Sequence, residues 1–312
     1  MNLKELAAIL KSKKWILIAI TGVSVLLLII YIHLFFSITG AQRNEGPVVQ
    51  ERSGGELPDL ADAITMFSQH TPDPDREAFV EDFWRWTFGE AGIPEQLARR
   101  VAASALESPA FVMELIEVLQ QDPHTYILVD KQHALASDYE PADLIPLRAG
   151  SYRITRDGML LRRMAAQALE EMAHAAAREG IVLTVGSAYR SFSNQAEVNA
   201  RWVRQLGQQA ADRVSAPAGH SQHQLGLVVD FSPITDAFAQ TPASAWLLHN
   251  ASRFGWSLSY PDGYEHITGY TWESWHYRYV GRDLAFFIDN YFEGIQQYAL
   301  QFIRAWQEQA GE

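Results

Sequence analysis

Two short stretches carry side chains that could do chemistry together: GHSQHQLGLVVDF, Gly219 to Phe231, with His223 and Asp230, and WESWHYRY, Trp272 to Tyr279, with Glu273 and His276. A catalytic Zn2+ takes three imidazole or carboxylate ligands, keeps one position open, and brings the pKa of bound water to about 7. His223, Asp230 and His276 would make such a set. Glu273, a carboxylate left off the metal, would take the water's proton and return it to a leaving amine. An odd number of positions separates His223 from Asp230, so one continuous strand would put them on opposite faces. The chain must bend between them, and Gly226 permits it. After that glycine, LVVDF predicts a buried strand with Asp230 near its end. Glu273 and His276 differ in strand parity, which predicts Glu273 in a turn ahead of a strand HYRYV.

These residues also carry a resemblance. GHSQHQLGLVVDF resembles the S-x-H-x-x-G-x-x-x-D box of the VanY-type D-alanyl-D-alanine carboxypeptidases, and ESWHYRYVG resembles their E-x-W-H box. SAYRS, Ser187 to Ser191, resembles the upstream Y-R-S element, so three boxes stand in the family's order between roughly Thr125 and Gly281. The resemblance implies one zinc ion on His223, Asp230 and His276, with Glu273 as general base. It implies that Arg190 meets the substrate carboxylate or polarises the scissile carbonyl, with Gln195 and Ser221 alongside. Ser274 stands where the family commonly has proline; no reacting group is lost by it.

Elements must position those groups. Met159 to Glu179 has Leu161, Met164, Ala165, Ala168, Leu169, Met172, Ala173 and Ala176 on one face and Gly180 as a stop, predicting a helix. IVLTVGSAYRS predicts a strand that delivers Arg190 to its end, where a guanidinium fork suits a carboxylate. Ser193 is expected to cap the next helix, with Gln195 in its first turn. Thr241-Pro242 opens another helix and Gly255 closes it. YPDGYEHITG reads as a turn, with Tyr260 expected to line the pocket. His220 is expected beside the site as an orienting neighbour, His174 and His249 are read as exposed or boundary residues, and His266 is set aside as a ligand because its position matches no metal position of the family. YILVDKQHALASDYEPADLIPL is expected to open the domain as a short strand followed by a loop.

The chain has 312 residues, 48% of them hydrophobic, a net charge of −12 and no cysteine. Such acidity argues against a nucleic-acid partner, and any zinc must use nitrogen and oxygen ligands. Residues 15–36, WILIAITGVSVLLLIIYIHLFF, match the roughly 20 residues that span a bilayer, and Lys4, Lys11, Lys13 and Lys14 precede them. The positive-inside rule then keeps residues 1–14 cytoplasmic and exports the chain beyond the anchor to the periplasmic or extracellular side. Residues 37–58 read as a linker. Residues 59–123 read as a helical segment, its last helix running from Pro94 to Gln121, with an aromatic cluster Phe79, Phe83, Trp84 and Trp86 at helical spacing. Residues 124–283 form the expected zinc carboxypeptidase domain. Residues 284–312 are expected to form one amphipathic helix, its aromatic stripe packed on the helical segment.

The expected fold is therefore α+β: a small antiparallel sheet with flanking helices carrying a zinc site, preceded by one transmembrane helix and a helical segment. The expected activity is that of a membrane-anchored D,D-carboxypeptidase removing the terminal D-alanine of peptidoglycan stem peptides. The same metal set would serve an L,D-carboxypeptidase, a D,D-dipeptidase or a cross-link endopeptidase. Outside catalysis, it would serve a zinc-containing wall-binding module, or a tethered assembly factor in which the peptidase domain is secondary.

Overall fold

The computed structural model describes residues 83–85, 87–89 and 91–310. The expected cytoplasmic segment, anchor and linker, together with Phe79 and Trp86, lie outside the described residues. Among the described residues no helix is long and apolar enough to cross a membrane.

Residues 83–85 and 87–89 are helical, and Gly92, at φ +64°, turns the chain before the next helix. The expected helix from Pro94 to Gln121 is two, α1 (Glu95–Glu107) and α2 (Pro109–Gln120). The cause is Pro109: the residue before a proline is pushed out of the helical region, and Ser108 is extended at φ −122°, ψ 108°. A 3-10 turn, Pro123–Tyr126, comes next, and YILV is not a strand. The first strands are β1 (Leu144–Pro146), β2 (Arg153–Ile154) and β3 (Leu160–Arg162).

Helix α3 (Arg163–Arg178) starts later than its periodicity suggests, because residues 160–162 are held extended. β3 pairs antiparallel with β1, and the Arg162 amide donates to the Gly226 carbonyl at 2.8 Å. The Arg162 side chain, buried, reaches Asp143 at 2.7 Å and Asp122 at 3.0 Å. Next come β4 (Thr184–Ser187), α4 (Phe192–Leu206) and α5 (Gln208–Val214). The cap of α4 is Ser191, not Ser193; its hydroxyl accepts from the Asn194 amide. The remaining elements are β5 (Val228–Phe231), α6 (Pro242–Asn250), β6 (Trp256–Leu258), the single turn α7 (Glu265–Thr268), β7 (His276–Tyr279), α8 (Arg282–Tyr291) and α9 (Gln296–Ala310).

Five strands form the main sheet in the order β2-β4-β5-β7-β6. The expectation of an antiparallel sheet is corrected at one edge, where β2 runs parallel to β4; the other pairings are antiparallel. Strands β2 and β4 run parallel because α3 lies between them in sequence, and a return of that length suits a parallel pair. One face of the sheet is apolar: Val185, Val229, Phe231 and Tyr277 pack with Leu169, Met172 and Ala176 of α3 and Leu247 of α6 in one core. Side chains alternate along a strand. Asp230 and His276 therefore point to the opposite face.

The C-terminal stripe is broken as well. Glu293 at φ 56° and Gly294 at φ 74° end α8 and redirect the chain into α9. Its aromatics pack as expected on the preceding helices: Phe111 of α2 lies 4.7 Å from Tyr291 and 5.2 Å from Phe287, centroid to centroid, and Phe83 lies 6.3 Å from Phe302.

Gly226 sits at φ +67°, and a Cβ there would come within 2.9 Å of Leu144 and 3.0 Å of Arg162. Gly226→Ala is expected to cost at least about 2 kcal/mol in urea unfolding, combining the left-handed backbone penalty with that crowding. Asp130 offers a second test. Burial acts to raise its pKa, but donors from Gln132, Gln297 and His133 outweigh it and hold the carboxyl below its ordinary value. A depressed folded pKa stabilises above the unfolded value of about 3.9, and that contribution is lost as pH falls through the folded one. Urea midpoints measured between pH 6 and pH 3 should therefore fall less steeply for Asp130→Ala than for the parent.

Candidate active site

Strand register brings the two motifs together. Asp230 on β5 stands directly opposite His276 on β7 and, across the other edge, opposite Ser187 on β4. His223 arrives from a 3-10 turn, Gln222–Leu225, capped by Ser221 and closed by Gly226. That is the bend required by the spacing. Glu273 sits just before a turn at 274–275 that leads into β7, as its parity predicts.

His223 Nε2 lies 3.1 Å from one Asp230 oxygen, and His276 Nδ1 lies 3.1 Å from the other. Glu273 Oε2 is also 3.1 Å from His276 Nδ1. The three ligand-type atoms of His223, Asp230 and His276 lie within 4.8 Å of one another, and all three residues are buried. His223 Nδ1 is 2.7 Å from the Ala188 carbonyl, which can only accept, so Nδ1 carries the proton. The lone pair on Nε2 then faces the Asp230 carboxylate. Burial, with help from Arg190 and His276, lowers the His223 pKa to about 4 against the pull of Asp230, so the ring is neutral near pH 7. Two electron pairs at that distance call for a cation between them. Asp230 Oδ1 is buried and has only the His276 Nδ1 contact, which is too poorly aligned to count as a hydrogen bond.

Burial is also the largest influence on His276 and opposes its charge, yet Asp230 and Glu273 outweigh it and raise the pKa to about 9. Burial raises Asp230 too, but the two imidazoles hold it well below the usual carboxylate range. Glu273 is shifted upward by burial, with His276 and Arg190 acting against it.

Arg190 lies beyond the end of β4 with Nη2 4.0 Å from Asp230 Oδ2. Its fork is held in place by Gln195 Oε1 at 2.8 Å and Ser187 Oγ at 3.1 Å. Gln195 in turn donates to the Ala216 carbonyl at 2.6 Å. Ser221 Oγ accepts from the His223 amide at 3.4 Å. Tyr260 packs against His276, ring centroids 4.7 Å apart and planes tilted by 55°.

Arg190, Gln195, Ser221, His223, Asp230, Tyr260, Glu273 and His276 all line one cleft of about 560 Å3. Trp202, Ile234, Asp236, Tyr270 and Trp275 line it too and were not singled out from the sequence. Trp275 lies inside the second motif, but Ile234, in the loop after β5, and Asp236, at the start of the 3-10 turn Asp236–Gln240, belong to no motif. His220 does not orient the site as expected. Its Nδ1 bonds the Asp130 carbonyl at 2.8 Å, bracing a loop instead. His174 and His249 are exposed, as expected, and so is His266.

A family model described as VanY, D-alanyl-D-alanine carboxypeptidase, matches residues 158–282. The putative carboxypeptidase YodJ of Bacillus subtilis (strain 168) is 35% identical over 196 residues, covering 58% of this chain and 72% of the relative. The chain belongs to the VanY family. Membership makes it a metallopeptidase. A D-alanyl-D-alanine carboxypeptidase of Enterococcus faecium is 27% identical over 161 residues, half of each chain. Among solved structures, the LdcB LD-carboxypeptidase matches with a TM-score of 0.51 and 35% identity, over 56% of this chain and 89% of that one. β1 and β2 precede the stretch matched by the VanY model yet pair with β3 and β4 inside it.

Adding a divalent ion to chelated protein is expected to raise the free energy of unfolding by about 2.7 kcal/mol at a free concentration one hundred times its Kd. In Asp230→Asn that increment should vanish at the same concentration, as read from urea midpoints.

Proposed function

We propose that this chain is a zinc-dependent D,D-carboxypeptidase, held at the outer face of a membrane, that removes the terminal D-alanine from peptidoglycan stem peptides. The observation that carries this reading is the buried His223–Asp230–His276 cluster with Glu273 against it, in a cleft that also holds Arg190. We assign residues 124–283 to the catalytic domain and residues 15–36 to the anchor. The apolar run and its preceding lysines support that anchor and an exported, periplasmic or extracellular domain.

His223 through Nε2, Asp230 and His276 through Nδ1 would hold the ion. Two imidazoles and one carboxylate suit zinc, which when bound supplies Lewis-acid polarisation of the scissile carbonyl. Glu273 takes the proton of the attacking water on a carboxylate oxygen and passes it to the departing amine of D-alanine. Burial shifts its pKa upward, which makes the carboxylate a stronger base toward the water proton than a solvated one. Arg190 stands beside a ligand oxygen with its fork already fixed, where it can stabilise charge developing on the carbonyl oxygen. Ser221 retains its hydroxyl proton for the substrate's terminal carboxylate, and Gln195 keeps Arg190 in register. Tyr260 packs against the His276 ring and walls the pocket.

A second reading, an L,D-carboxypeptidase acting on tetrapeptide stems, is favoured by the likeness to LdcB. The two differ at the residue before the scissile bond, which is D-alanine in one and an L-centre with a long side chain in the other. Mass spectrometry of pentapeptide and tetrapeptide muropeptides incubated with the zinc-loaded protein separates them. Loss of one alanine from the pentapeptide supports the D,D reading, and loss from the tetrapeptide alone moves the protein to the L,D class. Glu273→Gln should slow the reaction by roughly 100-fold or more while still binding zinc. If neither stem is cut while the protein holds zinc and binds the wall polymer, a wall-binding module replaces both readings.

A further inference from the structure

Behind the metal cluster lies a group of buried polar side chains that the proposed chemistry does not use. Gln222, Ser259 and Gln296 are exposed by only 2%, 3% and 1%. Ser259 Oγ donates to Gln222 Oε1 at 2.8 Å, Gln222 Nε2 donates to Gln296 Oε1 at 3.4 Å, and Gln296 Nε2 donates to the Ser257 carbonyl at 3.3 Å. Two of these residues are tied to candidate ligands. Gln222 adjoins His223 in the same 3-10 turn, and the Ser259 amide donates to the His276 carbonyl at 3.2 Å. Gln296 stands in the first turn of α9, where the left-handed Glu293–Gly294 pair turns the chain inward. Its neighbour Gln297 donates to Asp130 Oδ2 at 2.8 Å, and the Asp130 carbonyl is the partner of His220 at the entrance to the first metal motif. α9 lies outside residues 158–282, the stretch matched by the VanY family.

From this geometry we infer that Gln296 is a positioning residue of the metal centre, fixing His223 and His276 relative to each other through Gln222 and Ser259. Side chains buried this deeply must find partners, and a three-member network with every link made is stiff. An apolar residue at 296 would strand the Gln222 amide and free the 3-10 turn to shift, moving His223 away from the Asp230–His276 pair. The inference rests on the metal-site reading above.

The test is zinc affinity, measured by competition with a chromophoric chelator on the full chain, together with the visible absorption of the cobalt-substituted protein. Parent and His223→Ala come first: equal affinity in these two would overturn the metal-site reading itself. With that reading intact, Gln296→Leu is expected to bind zinc about tenfold more weakly, the lower range for residues that orient ligands without touching the ion, and to shift the cobalt bands. Ile303→Ala, a fully buried apolar truncation in the same helix, controls for loss of stability and should leave both readouts at parent values. Parent-like affinity and spectrum in Gln296→Leu, or an equal loss in Ile303→Ala, would overturn the inference. If Gln296→Leu does not fold, Ser259→Ala decides by the same two readouts.

Discussion

A buried carboxylate governs this molecule. Asp230 is 4% exposed, and an ionised carboxyl withdrawn from water is costly unless opposite charge or hydrogen bonds compensate. Here the two imidazoles arrive by different routes and act differently: His276, placed by strand register, supplies the opposite charge, while His223, on a turn that doubles back onto the sheet, offers a lone pair that a cation would complete. Both routes need rigid backbone. The apolar face of the sheet, packed on α3 and α6, supplies that rigidity, and the polar face uses it. A bulge between Val185 and Ser187 brings Ser187 opposite Asp230, so the support for Arg190 is built into the same ladder.

Much of this was legible in the chain because it depends on local rules. Strand parity placed Glu273 in a turn, the odd spacing of His223 and Asp230 required a bend, and Gly226 was the residue able to make it. Where neighbours distant in sequence decide the outcome, local rules fell short. The periodicity of α3 ran into β3 because pairing with β1 and a bond to Gly226 override helical preference at residues 160–162. Pro109 and the Glu293–Gly294 pair divided helices whose hydrophobic faces read as continuous, although the proline was a visible signal. His220 could not be assigned from spacing, since its partner lies far away at Asp130.

The stretch shared with the VanY family is held from outside as well as inside. Arg278, fully buried on the sheet face that carries His276, donates to the Thr125 and Ile127 carbonyls, so its charge pins the segment leading into the domain. Phe111 and Phe83 receive the aromatics of α8 and α9 on another side. The family motifs thus carry the candidate site residues, while flanking segments hold the backbone around them.

The bond between Gln297 and Asp130 joins residues 167 positions apart in sequence. A chain emerging in order from a ribosome has all three candidate ligands by residue 276, yet this brace arrives only with α9. Contacts so distant in sequence form late, because the entropy of closing the intervening loop must be met first. A polypeptide cut short after β7 would therefore carry His223, Asp230, Glu273 and His276 without the α9 side chain that holds Asp130.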